Sequence, residues 1–245
     1  MYATINNILT NYEQYGSDSK PVVLVLHGWK SDSAAWLNAA QSLEKEFRVL
    51  LVDIPGFGKS NRPIGTFGTY EYAQFISDFL KYLNIQRCTV VGHSFGGRIA
   101  LVLAATTEIV EKLILVDAAG IESKPLLYDF LLNILSPLKR LVPQNYLYYL
   151  KKQLGSKDYN GAGNLKDIFL KVIKEDLSNL LPKIQISTYI IWGSKDTILD
   201  ISLAKNFKQL IKSSKIRVIW GAGHHPYLDK PSEFISVLRE CLNAE

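Results

Sequence analysis

The stretch Cys88-Thr89-Val90-Val91-Gly92-His93-Ser94-Phe95-Gly96-Gly97-Arg98-Ile99-Ala100-Leu101-Val102-Leu103-Ala104 decides the fold. An apolar run rich in β-branched residues reads as a buried strand, and the Ala- and Leu-rich run after Gly97 reads as a helix. Between them, Gly92-His93-Ser94-Phe95-Gly96 places glycines two residues to either side of a serine. Such a turn needs small flanking residues because the chain reverses tightly. It lifts the serine hydroxyl above the sheet edge, and the helix that follows points its N-terminal N–H groups toward the same space. This is an arrangement for a nucleophile.

The same rhythm extends in both directions. Val22-Val23-Leu24-Val25-Leu26 ends at His27-Gly28-Trp29, and Arg48-Val49-Leu50-Leu51-Val52 ends at Asp53-Ile54-Pro55-Gly56-Phe57-Gly58. Lys112-Leu113-Ile114-Leu115-Val116 ends at Asp117, and Thr188-Tyr189-Ile190-Ile191-Trp192 ends at Gly193-Ser194-Lys195-Asp196. Ile216-Arg217-Val218-Ile219-Trp220 ends at Gly221-Ala222-Gly223-His224-His225. Continuous apolar runs are the signature of parallel strands covered on both faces. Helical patterns separate them over 33–46 and 70–84, and a closing amphipathic helix is expected over 232–242. The predicted fold class is α/β, a doubly wound and mostly parallel sheet. Ligands bind at the carboxyl ends of such strands, where Ser94, Asp196 and His224 follow one another in chain order.

Together these motifs resemble the α/β-hydrolase fold superfamily, in the branch of esterase- and lipase-like serine hydrolases with a short helical cap. The resemblance covers nearly the whole chain apart from about 121–185. It implies that Ser94 is the nucleophile and His224 its general base, with Asp196 holding the second ring nitrogen. It also implies an oxyanion hole formed by the backbone N–H groups of Trp29 and Phe95. Other residues compete for these roles. His225 is the alternative base, but the resemblance places the base directly after Gly223. Asp117 ends the preceding strand, where some relatives carry the acid. Asp200 reads as a helix cap before Ile201-Ser202-Leu203. His27 and His93 sit in strand-end turns and read as structural or pocket-lining.

Several other chemistries are not encoded. Gly58-Lys59-Ser60 looks like the end of a phosphate-binding loop, but position 53, where the first glycine belongs, holds aspartate. Cys88 and Cys241 have no metal-ligand spacing with the histidines. The expectation is therefore no cofactor and no metal. The 245 residues, 47% of them hydrophobic, suffice for one domain with a sizeable core, and no apolar run reaches the length of a membrane span. No signal peptide is visible, and two cysteines without an Asn-x-Ser/Thr sequon fit a cytoplasmic protein. Basic residues are not interleaved with aromatics, so nucleic acid is not an expected partner.

The stretch 121–185 breaks the strand rhythm. It carries ten basic and six acidic residues and so holds most of the formal charge of +5. Apolar helical patterns at 125–135 and 165–180, Tyr146, Tyr148 and Tyr149, and a Gly/Asn-rich break at 156–164 read as a helical cap with a hinge. The expected organisation is one domain over 1–245, with core 1–120 and 186–245 and cap 121–185. A hydrophobic, tyrosine-rich cap suggests a small-molecule hydrophobic ester substrate. The reading is hydrolysis of carboxylic esters with small to medium acyl groups through an acyl-enzyme on Ser94. The alternatives are a carbon–carbon bond hydrolase of the same fold, and a ligand-binding sensor with little turnover. The basic cap is also compatible with anionic ligands or membrane surfaces. Neither the oligomeric state nor the physiological substrate is encoded legibly.

Overall fold

The apolar runs lie where both faces of one sheet are covered. A computed structural model of the chain describes residues 1–121 and 163–244. Its eight strands are β1 (Tyr2–Ile5), β2 (Ile8–Tyr15), β3 (Val22–Leu26), β4 (Arg48–Val52), β5 (Cys88–His93), β6 (Val110–Val116), β7 (Ser187–Gly193) and β8 (Ser214–Ile219). They are ordered β1-β2-β4-β3-β5-β6-β7-β8. From β4 to β8 every pairing is parallel, and only the β1–β2 and β2–β4 pairings are antiparallel. The doubly wound sheet read from the sequence is therefore present.

Alternation along each strand divides the core in two. Leu24, Leu26, Val90 and Leu113 face α2 (Thr69–Tyr82), α3 (Phe95–Thr106) and, further along, α5 (Ser202–Leu210). Val23, Val25, Val91 and Ile114 face α1 (Leu37–Leu43) and α7 (Pro231–Asn243) on the other side. Two further helices are described, α4 (Lys166–Lys174) and the single turn α6 (Pro226–Asp229). Burying a Val or Leu side chain contributes roughly 1.5–3 kcal/mol, so strands with both faces buried are mostly apolar and show no polar–apolar alternation.

The N-terminal hairpin was not expected. In β2 the sequence Ile-Leu-Thr-Asn-Tyr-Glu-Gln-Tyr mixes polar and apolar residues, with Thr10 and Asn11 buried and Leu9 exposed, so no apolar run marks it. The link is a two-residue loop, with Ile5 opposite Ile8 and with Asn6 and Asn7 at φ +48° and +63°. That positive pair is the signature of a type I′ turn, which asparagine tolerates well. Two expected helices are also shorter than their patterns suggested. The first begins as a tight turn over Ser33–Trp36, capped by Asp32, before α1. The helix expected over 165–180 ends at Lys174, and Glu175 is extended. The patterns at 125–135 and 143–154 and most of the 156–164 break lie outside the described residues.

One buried carboxylate ties the site loops together. Asp53, at the end of β4, accepts N–H groups from Ser33 at 2.7 Å and Lys59 at 2.8 Å, and the Asn11 amide at 2.9 Å. Burial pushes its pKa up, but those donors outweigh it and hold the carboxyl below its usual value. A depressed folded pKa stabilises the fold above the unfolded pKa, and that stability is lost as pH falls through the folded value. Asp53→Asn is expected to cost about 2 kcal/mol at neutral pH. Its Tm deficit relative to wild type should shrink below about pH 4, which thermal melts across pH 3–7 would show. A constant deficit would mean that Asp53 is not held as an anion.

Candidate active site

Strand register places the nucleophile turn beside the first strand–helix loop. Leu26 of β3 pairs with Gly92 of β5, so the turn at Ser94 and the loop of Gly28-Trp29 emerge together at the point where strand order reverses. Ser94 has φ +49° and ψ −110°, a strained backbone for a residue with a side chain. Backbone hydrogen bonds hold it there, including one from the Arg98 N–H to its carbonyl at 3.3 Å. Its N–H donates to Val116 O at 3.1 Å, and its carbonyl accepts from Gly97 at 3.0 Å and Ala119 at 3.1 Å. The flanking glycines are needed for space. A Cβ on Gly92 would lie 2.6 Å from the Gly96 carbonyl oxygen, and one on Gly96 would run into the Leu26 carbonyl. Phe95, the next residue, is the first of α3 and is buried.

Asp196 and His224 come together across β7 and β8. His224 Nδ1–H donates to Asp196 Oδ2 at 2.7 Å, and both side chains are almost fully buried. The other oxygen of Asp196 accepts from Ile198 at 2.7 Å and Leu199 at 2.9 Å. Burial raises the Asp196 pKa, but the bond from His224 and these N–H groups pull it below the ordinary range. A carboxylate on Nδ1 leaves Nε2 of His224 with its lone pair, the form a base needs. Asp200 takes no part in this pair and instead accepts the Ser202 N–H at 2.8 Å at the start of α5.

The two strand-end histidines serve as braces. His93 Nε2–H donates to the His224 carbonyl at 2.7 Å, so the His224 backbone is tied to the residue before Ser94. Burial, with the neighbouring His224, drives the His93 pKa well down and keeps it neutral. His27 Nε2 accepts from the Ile54 N–H at 3.0 Å, so its Nδ1 carries the hydrogen and donates to Gly28 O at 2.8 Å. In a trans peptide the carbonyl and the next N–H point opposite ways. Tying down the Gly28 carbonyl therefore turns the Trp29 N–H away from His27. His225 is partly exposed, with its ring 5.1 Å from those of His93 and His224.

Aromatic rings cluster around Trp29. The Trp29 ring packs on Phe57 at 4.9 Å, Phe95 at 5.3 Å and Phe169 of α4 at 5.2 Å. Ile168 and Val172 bury the inner face of α4. Its outer residues are pinned to the 62–71 region, Asp167 by Arg62 at 2.9 Å and Lys171 by Glu71 at 2.7 Å.

Arg98 is a functional residue that the sequence reading passed over. From α3, four residues after Ser94, its guanidinium donates to the Val172 carbonyl at 2.6 Å and to the Glu175 carbonyl. It is buried, and desolvation lowers its pKa. A lone arginine in the apolar run 95–104 was the available signal. Arg98→Met would leave the Glu175 carbonyl without its donor, at about 1–3 kcal/mol, and would take one of two donors from the Val172 carbonyl, which still accepts the Glu175 N–H. The expected result is a lower Tm and faster proteolysis within 163–177. Unchanged proteolysis would show that α4 is held by other contacts.

Asp117 lies against the His–Asp pair. One oxygen each of Asp117 and Asp196 and a ring nitrogen of His224 fall within 4.8 Å of one another. They do not form an open cation site, because the His224 nitrogen and an Asp196 oxygen are bonded to each other. Asp117 Oδ1 accepts from the Gly193 N–H at 2.9 Å. Burial raises its pKa to about 9, and the negative charges of Asp196 and Asp229 add to the rise although the Gly193 bond opposes it.

Comparison with known proteins agrees with this architecture. The sequence model of the alpha/beta hydrolase fold matches residues 21–148. Monoacylglycerol lipase ABHD6 of Bos taurus is 25% identical over 91% of this chain and 75% of its own length. A solved membrane phospholipase A, described as a bacterial virulence factor, superposes with a TM-score of 0.82 at 27% identity, covering 100% of this chain and 86% of that one. An esterase from Exiguobacterium antarcticum superposes with a TM-score of 0.78 at 25% identity, over 99% of both chains. Among the described residues, no helix is long and apolar enough to cross a membrane.

Proposed function

The chain belongs to the alpha/beta hydrolase family and is a hydrolase; from that premise we propose that it cleaves carboxylic esters through an acyl-enzyme on Ser94. The observation that carries the proposal is the buried bond between His224 Nδ1 and Asp196 at 2.7 Å, joined through His93 to the strained turn of Ser94. Lipase, phospholipase and esterase relatives support an ester substrate.

In this mechanism Ser94 Oγ attacks the acyl carbon as its proton passes to His224 Nε2. Asp196 stabilises the imidazolium that forms. The oxyanion accepts hydrogen bonds from the N–H groups of Phe95, at the start of α3, and Trp29, whose peptide His27 orients. Each such donor is worth about 3–4 kcal/mol of transition-state stabilisation. The tetrahedral species collapses, the alcohol leaves with the proton from His224, and a water deprotonated by His224 then releases the acid. The Trp29, Phe57 and Phe169 rings support an apolar acyl site of small to medium size. The cap read from the sequence at 121–185 would include α4; its residues 122–162 lie outside the described residues.

The test is the intact mass after exposure to a fluorophosphonate. Wild type should gain one adduct and Ser94→Ala none. Wild type that stays unmodified while folded would overturn the acyl-enzyme reading in favour of a binding protein.

A further inference from the structure

Asp117 is a buried carboxyl group to which the triad gives no task. It ends β6 between the turn of Ser94 and the loop of Asp196. Its neighbours in sequence brace that turn, since Val116 O accepts the Ser94 N–H and the Ala119 N–H donates to Ser94 O. Its Oδ1 takes the Gly193 N–H, while its Oδ2 is buried with no hydrogen-bond partner. Asp196, within 4.8 Å, is already held as an acceptor by His224, Ile198 and Leu199. Two ionised carboxylates that close would repel strongly. A proton on Asp117 removes the repulsion and gives the idle oxygen a hydrogen to donate.

We propose that Asp117 is a neutral carboxylic acid whose Oδ2–H donates to Asp196, fixing the carboxylate that orients His224. Asp117 is thus a positioning residue, acting through Asp196. The groups that face it are Asp196 beyond β7, His224 beyond β8, and Tyr227 and Asp229 of α6. The elevated pKa described above accords with this protonation. The catalytic consequence rests on the serine-hydrolase reading, whereas the protonation state does not.

Two measurements test it. The first is the stability of wild type and Asp117→Asn against pH, by denaturant unfolding. Asparagine suits the backbone at this position, where φ is +40°. An unfolded aspartate releases its proton near pH 4. If the folded protein keeps that proton, the wild-type unfolding constant should rise about tenfold per pH unit relative to Asp117→Asn between pH 5 and 8. Parallel curves would overturn the proposal, whatever reaction the protein catalyses.

The second is kcat/KM against pH. Asp117→Leu, which cannot donate, should lose more than tenfold, through kcat. Asp117→Asn should restore most of that loss, because its amide N–H replaces the acid's O–H. Wild-type activity should fall as the acid ionises in the alkaline range, and the Asp117→Asn variant should lack that limb. An identical limb in both proteins would also overturn the proposal. Should Asp117→Leu fail to fold, the wild-type and Asp117→Asn comparison stands alone. Fluorophosphonate labelling of wild type reports separately on the serine reading.

Discussion

Ser94→Gly is expected to abolish ester hydrolysis and to raise the melting temperature. Loss of a triad nucleophile costs on the order of 10⁴-fold or more in kcat, because the oxyanion donors and the pocket remain but no acyl-enzyme can form. The stability gain has a separate origin. Ser94 sits at φ +49° with ψ −110°, held by bonds to Val116, Gly97 and Ala119. A side chain in such a region costs roughly 1–3 kcal/mol, which glycine largely avoids. In a chain of this size each kcal/mol moves Tm by about 2–4 °C. Ser94→Ala keeps a Cβ and so keeps the strain. It should be as inactive as Ser94→Gly, with a Tm near wild type. Melting curves of the three proteins, with rates on a short-chain p-nitrophenyl ester, separate the two effects. Equal melting temperatures for the glycine and alanine variants would show that the turn stores no strain.

Asp196→Asn is expected to slow turnover by about 10³- to 10⁴-fold. The carboxylate accepts His224 Nδ1–H at 2.7 Å and fixes the tautomer in which Nε2 is free. An amide nitrogen at that position would instead donate to the ring, shift its proton to Nε2 and remove the base. Stability should also fall, since Asp196 accepts the Ile198 and Leu199 N–H groups as an anion. The Asp196 pKa is depressed, so this share of stability is present above the unfolded pKa and disappears as pH drops through the folded one. The Tm gap between wild type and Asp196→Asn should therefore close in acid. Asp200→Asn is the matched control and should change kcat less than twofold, because Asp200 only caps α5. A large loss in the control, or a small one in Asp196→Asn, would reassign the acid.

Strands of the central sheet are legible in the sequence because burial on both faces leaves most of them with continuous apolar runs. The N-terminal hairpin is not, because Thr10, Asn11, Glu13 and Gln14 interrupt any apolar run. Its one local clue is the asparagine pair in the turn. Chain order and position past a strand end were enough to nominate Ser94, Asp196 and His224. What sequence spacing does not encode is how loops from different strands meet. The bond from His93 to the His224 carbonyl spans 131 residues, and those from Arg98 to α4 span 74 and 77. The nearness of Asp117 to Asp196 depends on β6 and β7 being direct neighbours, a fact of topology. The length of α4 was overestimated because Leu177, after Lys174, is apolar and buried without being helical.

That adjacency has an evolutionary consequence. The long interruption of the strand rhythm leaves the sheet after β6 and returns at β7, and these strands pair residue for residue from Lys112–Ser187 to Val116–Ile191. The two halves of the chemistry are thus encoded on opposite sides of the interruption, and contacts within the sheet bring them together. On the proposed reading, exchange of that passage would change the substrate preference and leave the reaction unchanged, provided the docking points at Trp29 and Arg98 are kept.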